Sequence, residues 1–180
     1  MSAVARRYAK ALFALAKEGA TLDATLQELE RIAAVARDPS VGPVLSSPLL
    51  SPARRRDLVQ RIASDLRLSD LLTRFVALLA DHQRVAELPR IHDYFQQLLD
   101  TELGRARITV RSARPLDGQQ EATLVAAFSK LTAKQIVPNI GVDPELLGGV
   151  VVEVGGKVYD GSIRTQFQRL ARQLAGTPVL

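Results

Sequence analysis

From the start of the chain to about residue 104, apolar residues recur at three- and four-residue intervals, the rhythm of helices that each bury one face. The spacing predicts helix one over Val4–Glu18, after Ser2 and before Gly19. It predicts helix two over Leu22–Arg37, with Thr21 as its N-cap and Asp38-Pro39 as its stop. A Ser/Pro-rich link, SVGPVLSSPLLSP, has room for one short helix around Val41–Leu45. Ser51-Pro52 opens helix four, a cap followed by proline in the first turn, where the missing N–H costs nothing. Ser69 opens helix five over about Asp70–Gln83. Helix six covers about Ala86–Leu103, so that Pro89 falls in its first turn or at a kink.

Past Gly104 the period shortens to two. In Arg105–Ser112, Ala106, Ile108 and Val110 share one face while Arg105, Arg107 and Arg111 share the other, a half-buried strand. Asp117-Gly118 ends a turn, and Gln119–Lys134 reads as a helix through Leu124, Phe128 and Leu131. Ile136–Val142 is a second strand, which Pro138 pushes toward a sheet edge. The stretch GGVVVEVGGKVYDGSIRTQFQRL, Gly148 to Leu170, resembles a phosphate loop at first sight. Such a loop needs glycine, four residues, then Gly-Lys-Ser/Thr; here Val151 stands where the first glycine belongs and Val158 follows Lys157. A hairpin fits instead: Val150–Val154 runs out, Gly155-Gly156 turns, Lys157–Asp160 returns, and Val150, Val152, Val154 and Tyr159 share a face. Gly161 then redirects the chain, and Ser162 caps a last helix, Ile163–Ala175, that buries Ile163, Phe167, Leu170 and Leu174. The expected fold class is α+β: an N-terminal six-helix bundle over residues 1–104, followed by a small C-terminal α/β domain over residues 105–180.

Composition changes this picture in few places. The chain has 180 residues, 47% hydrophobic and 24% charged, enough to bury a core without staples. It has no cysteine, which excludes a disulfide framework and any thiolate metal site. No apolar run is long enough to span a bilayer. The basic, alanine-rich start could pass for a transit peptide, but its rhythm continues directly into the next segment, so it reads as helix one of the fold. Net charge of +5 and a pI near 10.0 suit nucleic acid, an acidic partner or an anionic membrane surface, or serve solubility alone. Aromatics at 4%, without tryptophan, supply few base-stacking platforms. The two histidines, His82 and His92, lie on different predicted helices without a carboxylate at metal-ligand spacing, and read as solvated or helix-end residues. Glu28, Glu30, Glu87 and Asp93 fall on polar faces, and no serine sits in a nucleophile elbow. No catalytic residue, cofactor or metal is therefore assigned. The run Arg54-Arg55-Arg56 reads as a solvated face, with phosphate or acidic-partner binding as the alternative.

Two helices are too greasy for one core. Plotted at about 100° per residue, the apolar arc of helix two covers roughly 120° and that of helix six about 80°. Helix one spreads Val4, Ala5, Tyr8, Ala9, Ala11, Leu12, Phe13, Leu15 and Ala16 over about 200°. Helix five does the same with Leu71, Leu72, Phe75, Val76, Leu78, Leu79 and Ala80. Either both helices lie mid-bundle, or together they line a groove for a partner's amphipathic helix, which small residues such as Ala9 and Ala11 would let approach closely.

The opening ARRYAKALF with five further helices, the segment LLTRFVALLADHQRVAELPRI and the stretch from Gly148 to Leu170 together resemble the delta subunits of bacterial F-type ATP synthases, relatives of mitochondrial oligomycin-sensitivity-conferring protein. The last motif is the specific one: Gly-Gly, a valine-rich strand, a turn, Asp-Gly-Ser and an arginine-bearing helix, in that order. Pro138 departs from the family's usual strand. The resemblance implies a non-catalytic stator subunit, without cofactor, that ties catalytic head to peripheral stalk so that proton flow is coupled to ATP synthesis. It implies that residues 1–104 bind N-terminal helices of alpha subunits through helices one and five, at positions matching Tyr8, Ala11, Leu12, Leu15, Arg74, Phe75 and Leu78. It implies that residues 105–180 hold the far end of the b subunits, and that the protein lies peripherally on the cytoplasmic side of the bacterial inner membrane. The alternative is a basic nucleic-acid-binding module resting on pI and on Arg105, Arg107 and Arg111.

Overall fold

The computed structural model describes residues 2–45, 47, 50–163 and 165. The chain divides into two compact units, Met1–Leu99 and Asp100–Leu180. The fold is α+β: helices fill the first unit, and a four-stranded sheet with one crossing helix forms the described part of the second.

In the first unit the helices are α1 (Ala3–Glu18), α2 (Leu22–Arg37), the single turn α3 (Gly42–Leu45), α4 (Pro52–Asp65), α5 (Asp70–Asp81) and α6 (Leu88–Glu102), with a 3-10 turn at Val85–Glu87. Ser2, Ser51 and Ser69 cap α1, α4 and α5, each hydroxyl accepting from the amide of Ala5, Arg54 or Leu72. Thr21 precedes α2 without capping it; its hydroxyl donates back to the Ala16 carbonyl at 3.4 Å. Pro89 sits in the first turn of α6, where it breaks no helical bond. The core joins Leu12, Leu29, Leu72, Leu79, Ile91 and Phe95, all fully buried. Phe13 meets Phe95 edge-on at 5.4 Å between ring centroids, which locks α1 to α6. On the surface, Arg56 donates to Asp81 at 2.6 Å and ties α4 to α5. That hydrogen bond is the main reason the Asp81 carboxyl titrates below its ordinary value.

The middle residue of the arginine run is not solvated. Arg55 is buried, and its guanidinium donates to the carbonyls of Ser47 (2.8 Å) and Leu50 (3.1 Å). A charged side chain satisfies backbone groups of the Ser/Pro link that have no helix to pair with. Arg55→Met keeps the apolar stem and removes both donors. The expected cost is about 2 kcal/mol, the size of charged hydrogen bonds to backbone carbonyls lost at a buried site, read as a lower urea midpoint at unchanged slope. His92 also departs from expectation: it is buried, with Nδ1 3.0 Å from Asp93 Oδ1, because its position on α6 faces inward. His82 is the exposed C-cap of α5, a helix-end histidine.

In the second unit the sheet order is β2-β1-β3-β4, with β1 Arg105–Ser112, β2 Gln135–Val142, β3 Val150–Val154 and β4 Lys157–Asp160. β1 and β2 pair in parallel across the helix α7 (Gly118–Thr132), a βαβ unit. Asp117 caps α7 in a capping box, its carboxylate accepting from Gln120 N while the Gln120 amide oxygen accepts from Asp117 N. Pro138 stands opposite Ile108 in β2, the outer strand, where an absent N–H breaks no ladder on its open side. Ile108, Val110, Ile136 and Val152 form the buried centre under Leu124, Val125 and Phe128 of α7. Leu131, expected on that buried side, is 60% exposed in the last turn of α7.

The glycine stretch forms the hairpin β3–β4. Val152 pairs with Tyr159 and Val154 with Lys157, and Gly155 and Gly156 turn at φ +55° and +80°. Tyr159 meets Phe128 edge-on at 5.4 Å. The other glycines serve a different end. Gly149 has φ +84°, and a Cβ there would lie 2.4 Å from the Gly161 carbonyl oxygen. The two strand ends are held there by Gly161 N donating to Val150 O and Ile163 N donating to Gly148 O, both at 3.0 Å. Asp160 accepts from Ser162 N and from the Thr165 hydroxyl, each at 2.8 Å, and Ser162 Oγ accepts from Thr165 N. The body of the expected helix Ile163–Ala175, with Phe167, Leu170 and Leu174, lies outside the described residues.

A candidate docking face on the helical unit

The wide apolar arcs of α1 and α5 resolve into two stripes each. On α1, Ala5, Ala9, Leu12 and Ala16 face the core. About 100° around the helix, Val4, Tyr8, Ala11 and Leu15 make a second stripe. Val4 and Tyr8 are half-buried, Ala11 is exposed, and Leu15 is 52% exposed. On α5, Leu72, Val76, Leu79 and Ala80 are buried, while Leu71 is half-buried and Leu78 is 46% exposed.

Tyr8 and Phe75 bring the two helices together, their rings edge-on with centroids 6.2 Å apart. Phe75 is buried beneath that contact and Tyr8 is partly open. Leu12 is fully enclosed by the core and offers no surface to an incoming chain. Arg74 is exposed, its guanidinium 3.6 Å from Asp70 one turn earlier. The candidate positions thus separate by role. Leu12 and Phe75 are packing residues, Tyr8 is a shared floor, Ala11, Leu15 and Leu78 are open apolar positions, and Arg74 is charged and outward. An apolar strip with small residues and exposed leucines, on helices fixed by a buried core, can take up another amphipathic helix.

The arginines of β1 are less available than their alternation suggested. Arg107 donates to Asp100 at 2.6 Å, Arg111 to Asp143 at 3.2 Å, and Arg105 to the side chain of Gln135 at 3.3 Å. The acidic partners come from elsewhere in the chain, so the strand's own spacing could not reveal them. No cluster of potential metal ligands occurs among the described residues, and no described helix is long and apolar enough to cross a membrane.

A family model for the ATP synthase delta (OSCP) subunit matches residues 4–174. A protein of Anaeromyxobacter sp. (strain Fw109-5) named ATP synthase subunit delta is 42% identical, over 97% of this chain and 98% of its own. One of the same name from Carboxydothermus hydrogenoformans is 38% identical over the same shares. A chain of the Toxoplasma gondii mitochondrial ATP synthase hexamer, solved by cryo-electron microscopy, superposes with a TM-score of 0.71 at 26% identity, covering 99% of this chain and 100% of that one.

Proposed function

Because the chain belongs to the ATP synthase delta (OSCP) family, we propose that it ties the catalytic head of the enzyme to the outer end of its stator without taking part in the chemistry. It is a subunit of the F-type ATP synthase and part of the peripheral stalk. In this reading the helical unit takes N-terminal helices of the alpha subunits between α1 and α5. The second unit grips the C-terminal part of the b subunits. The whole sits peripherally at the cytoplasmic face of the bacterial inner membrane. Its work is mechanical: the turning shaft drags on the head, and the tie holds the head still. Slow release matters more than fast capture, and a well-packed helix-in-groove contact of about 800 Å² per partner suffices for that.

The observation that carries the reading is the open stripe of Ala11, Leu15 and Leu78 beside a floor of Tyr8 and Phe75. Leu78→Asp tests it. Leu78 is outside the core, so the variant stays folded, with a stability loss under about 1 kcal/mol. A carboxylate placed in the middle of the contact is expected to weaken binding of the alpha-subunit N-terminal segment on the order of 100-fold. Calorimetric titration measures the affinity, and circular dichroism melts check the fold. Undiminished affinity moves the docking site elsewhere. Nothing in the fold or the relatives supports the nucleic-acid reading, and two of the three arginines it drew on, Arg107 and Arg111, are paired with Asp100 and Asp143.

A further inference from the structure

We infer, resting on helix docking between α1 and α5, that the occupant carries carboxylates along both edges of its apolar stripe, and that Arg7 and Arg74 read them. The two arginines hold equivalent places. On α1, Arg7 lies about 70° outward from the centre of the Val4–Tyr8–Ala11–Leu15 stripe. On α5, Arg74 lies about 65° outward from the centre of Leu71, Phe75 and Leu78. Each therefore marks the outer rim of its own helix. Arg7 is exposed and extends its guanidinium over the Tyr8 ring, 5.7 Å from the centroid, so the charge leans toward the floor of the strip. Arg74 has 83% of its side chain exposed; Asp70, 3.6 Å away, is 96% exposed. An intrahelical pair so open to water is weak and exchanges readily for a better-placed carboxylate.

The α1 dipole adds to the case. No acidic residue occupies its first turn, while Arg6, Arg7 and Lys10 crowd its first half, against the preference for negative charge at a helix N-terminus. An incoming carboxylate there meets both the arginine and the helix end. Glu18, the carboxylate of α1, stands at the opposite end. Asp81 on α5 is already taken by Arg56.

The test uses the full chain and three peptides. One is the alpha-subunit N-terminal segment. The other two are designed amphipathic helices with the same apolar stripe, flanked by Glu in one and Lys in the other. The Glu-flanked peptide is expected to bind about tenfold more tightly at low salt, the size that two exposed charge pairs supply. Raising salt to about 0.5 M should remove most of that advantage. Arg7→Glu combined with Arg74→Glu should reverse the preference; if that variant does not fold, the comparison on the unaltered chain still decides. Binding of the alpha segment with no advantage for Glu over Lys overturns this inference alone. Failure of all three peptides to bind overturns the docking reading, and this inference with it.

Discussion

A chain cut after Gly104 is expected to bind the alpha-subunit segment as tightly as the full chain, while an ATP synthase assembled with it pumps or leaks protons without making ATP. The physical ground is that the first unit carries its own core. Leu12, Leu29, Leu72, Leu79, Ile91 and Phe95 all precede the cut, and α6 ends at Glu102. Among the described residues that cluster is made within the first unit, so α1 and α5 keep their positions. A tether, however, acts in series: the torque it transmits is limited by its weaker end, and removing one end removes all of it. Linked contacts gain from each other only when both can engage. The measurement is ATP synthesis against proton uptake in vesicles reconstituted with full-length or cut protein, alongside titration of the alpha segment. Undiminished ATP synthesis with the cut chain eliminates the two-ended tie. Lost affinity for the alpha segment instead means that the helical unit depends on residues 105–180.

How much of this could be read from residues alone depends on the range of the interaction. Local signals were reliable. The serines at 2, 51 and 69 each cap through an amide three positions on, so a short window contains the whole device. The alternation of β1 and the Gly155-Gly156 turn are equally local. Helical period also identified which faces of α1 and α5 are apolar. It could not divide them, because an angle on a helix says nothing about which neighbour stands there. Leu12 and Leu15 look alike in the pattern, yet one is enclosed and the other half open. The same limit hid Arg55, whose acceptors lie in an irregular link, and His92, whose side of α6 turns inward. For the β1 arginines, Asp100 and Asp143 were invisible until the chain was folded around them. Asp117 was readable in principle, since an Asp followed by Gln at the third helical position is a capping box in sequence, but a turn at Asp117-Gly118 masked it.

Gly149→Ala is expected to destabilise the second unit by about 4 kcal/mol, and its neighbour in type, Gly156→Ala, by only about 1 kcal/mol. The φ angles are nearly the same, +84° against +80°, so both alanines carry the cost of a positive φ. The difference is what the new methyl meets. At Gly156 nothing lies within 4 Å, whereas at Gly149 the Gly161 carbonyl oxygen stands 2.4 Å away with Ser162 Cα at 3.0 Å. Backbone atoms cannot swing aside as a side chain would. Relief requires β3 and the turn at Gly161 to separate, which strains the bonds from Gly161 N to Val150 O and from Ile163 N to Gly148 O. The gain from a stiffer unfolded chain, about 0.4–1 kcal/mol for replacing glycine, is too small to offset this. Urea melts of the two variants read the difference directly. Amide exchange should rise in β1, β3 and β4 of the Gly149 variant and stay unchanged in α1 and α5, because each unit has its own core. Equal melts for the two variants would mean that Gly149 is required for its φ alone. A large gap means that the specific spacing of Gly-Gly and Asp-Gly-Ser is a packing requirement, met where two backbone segments touch.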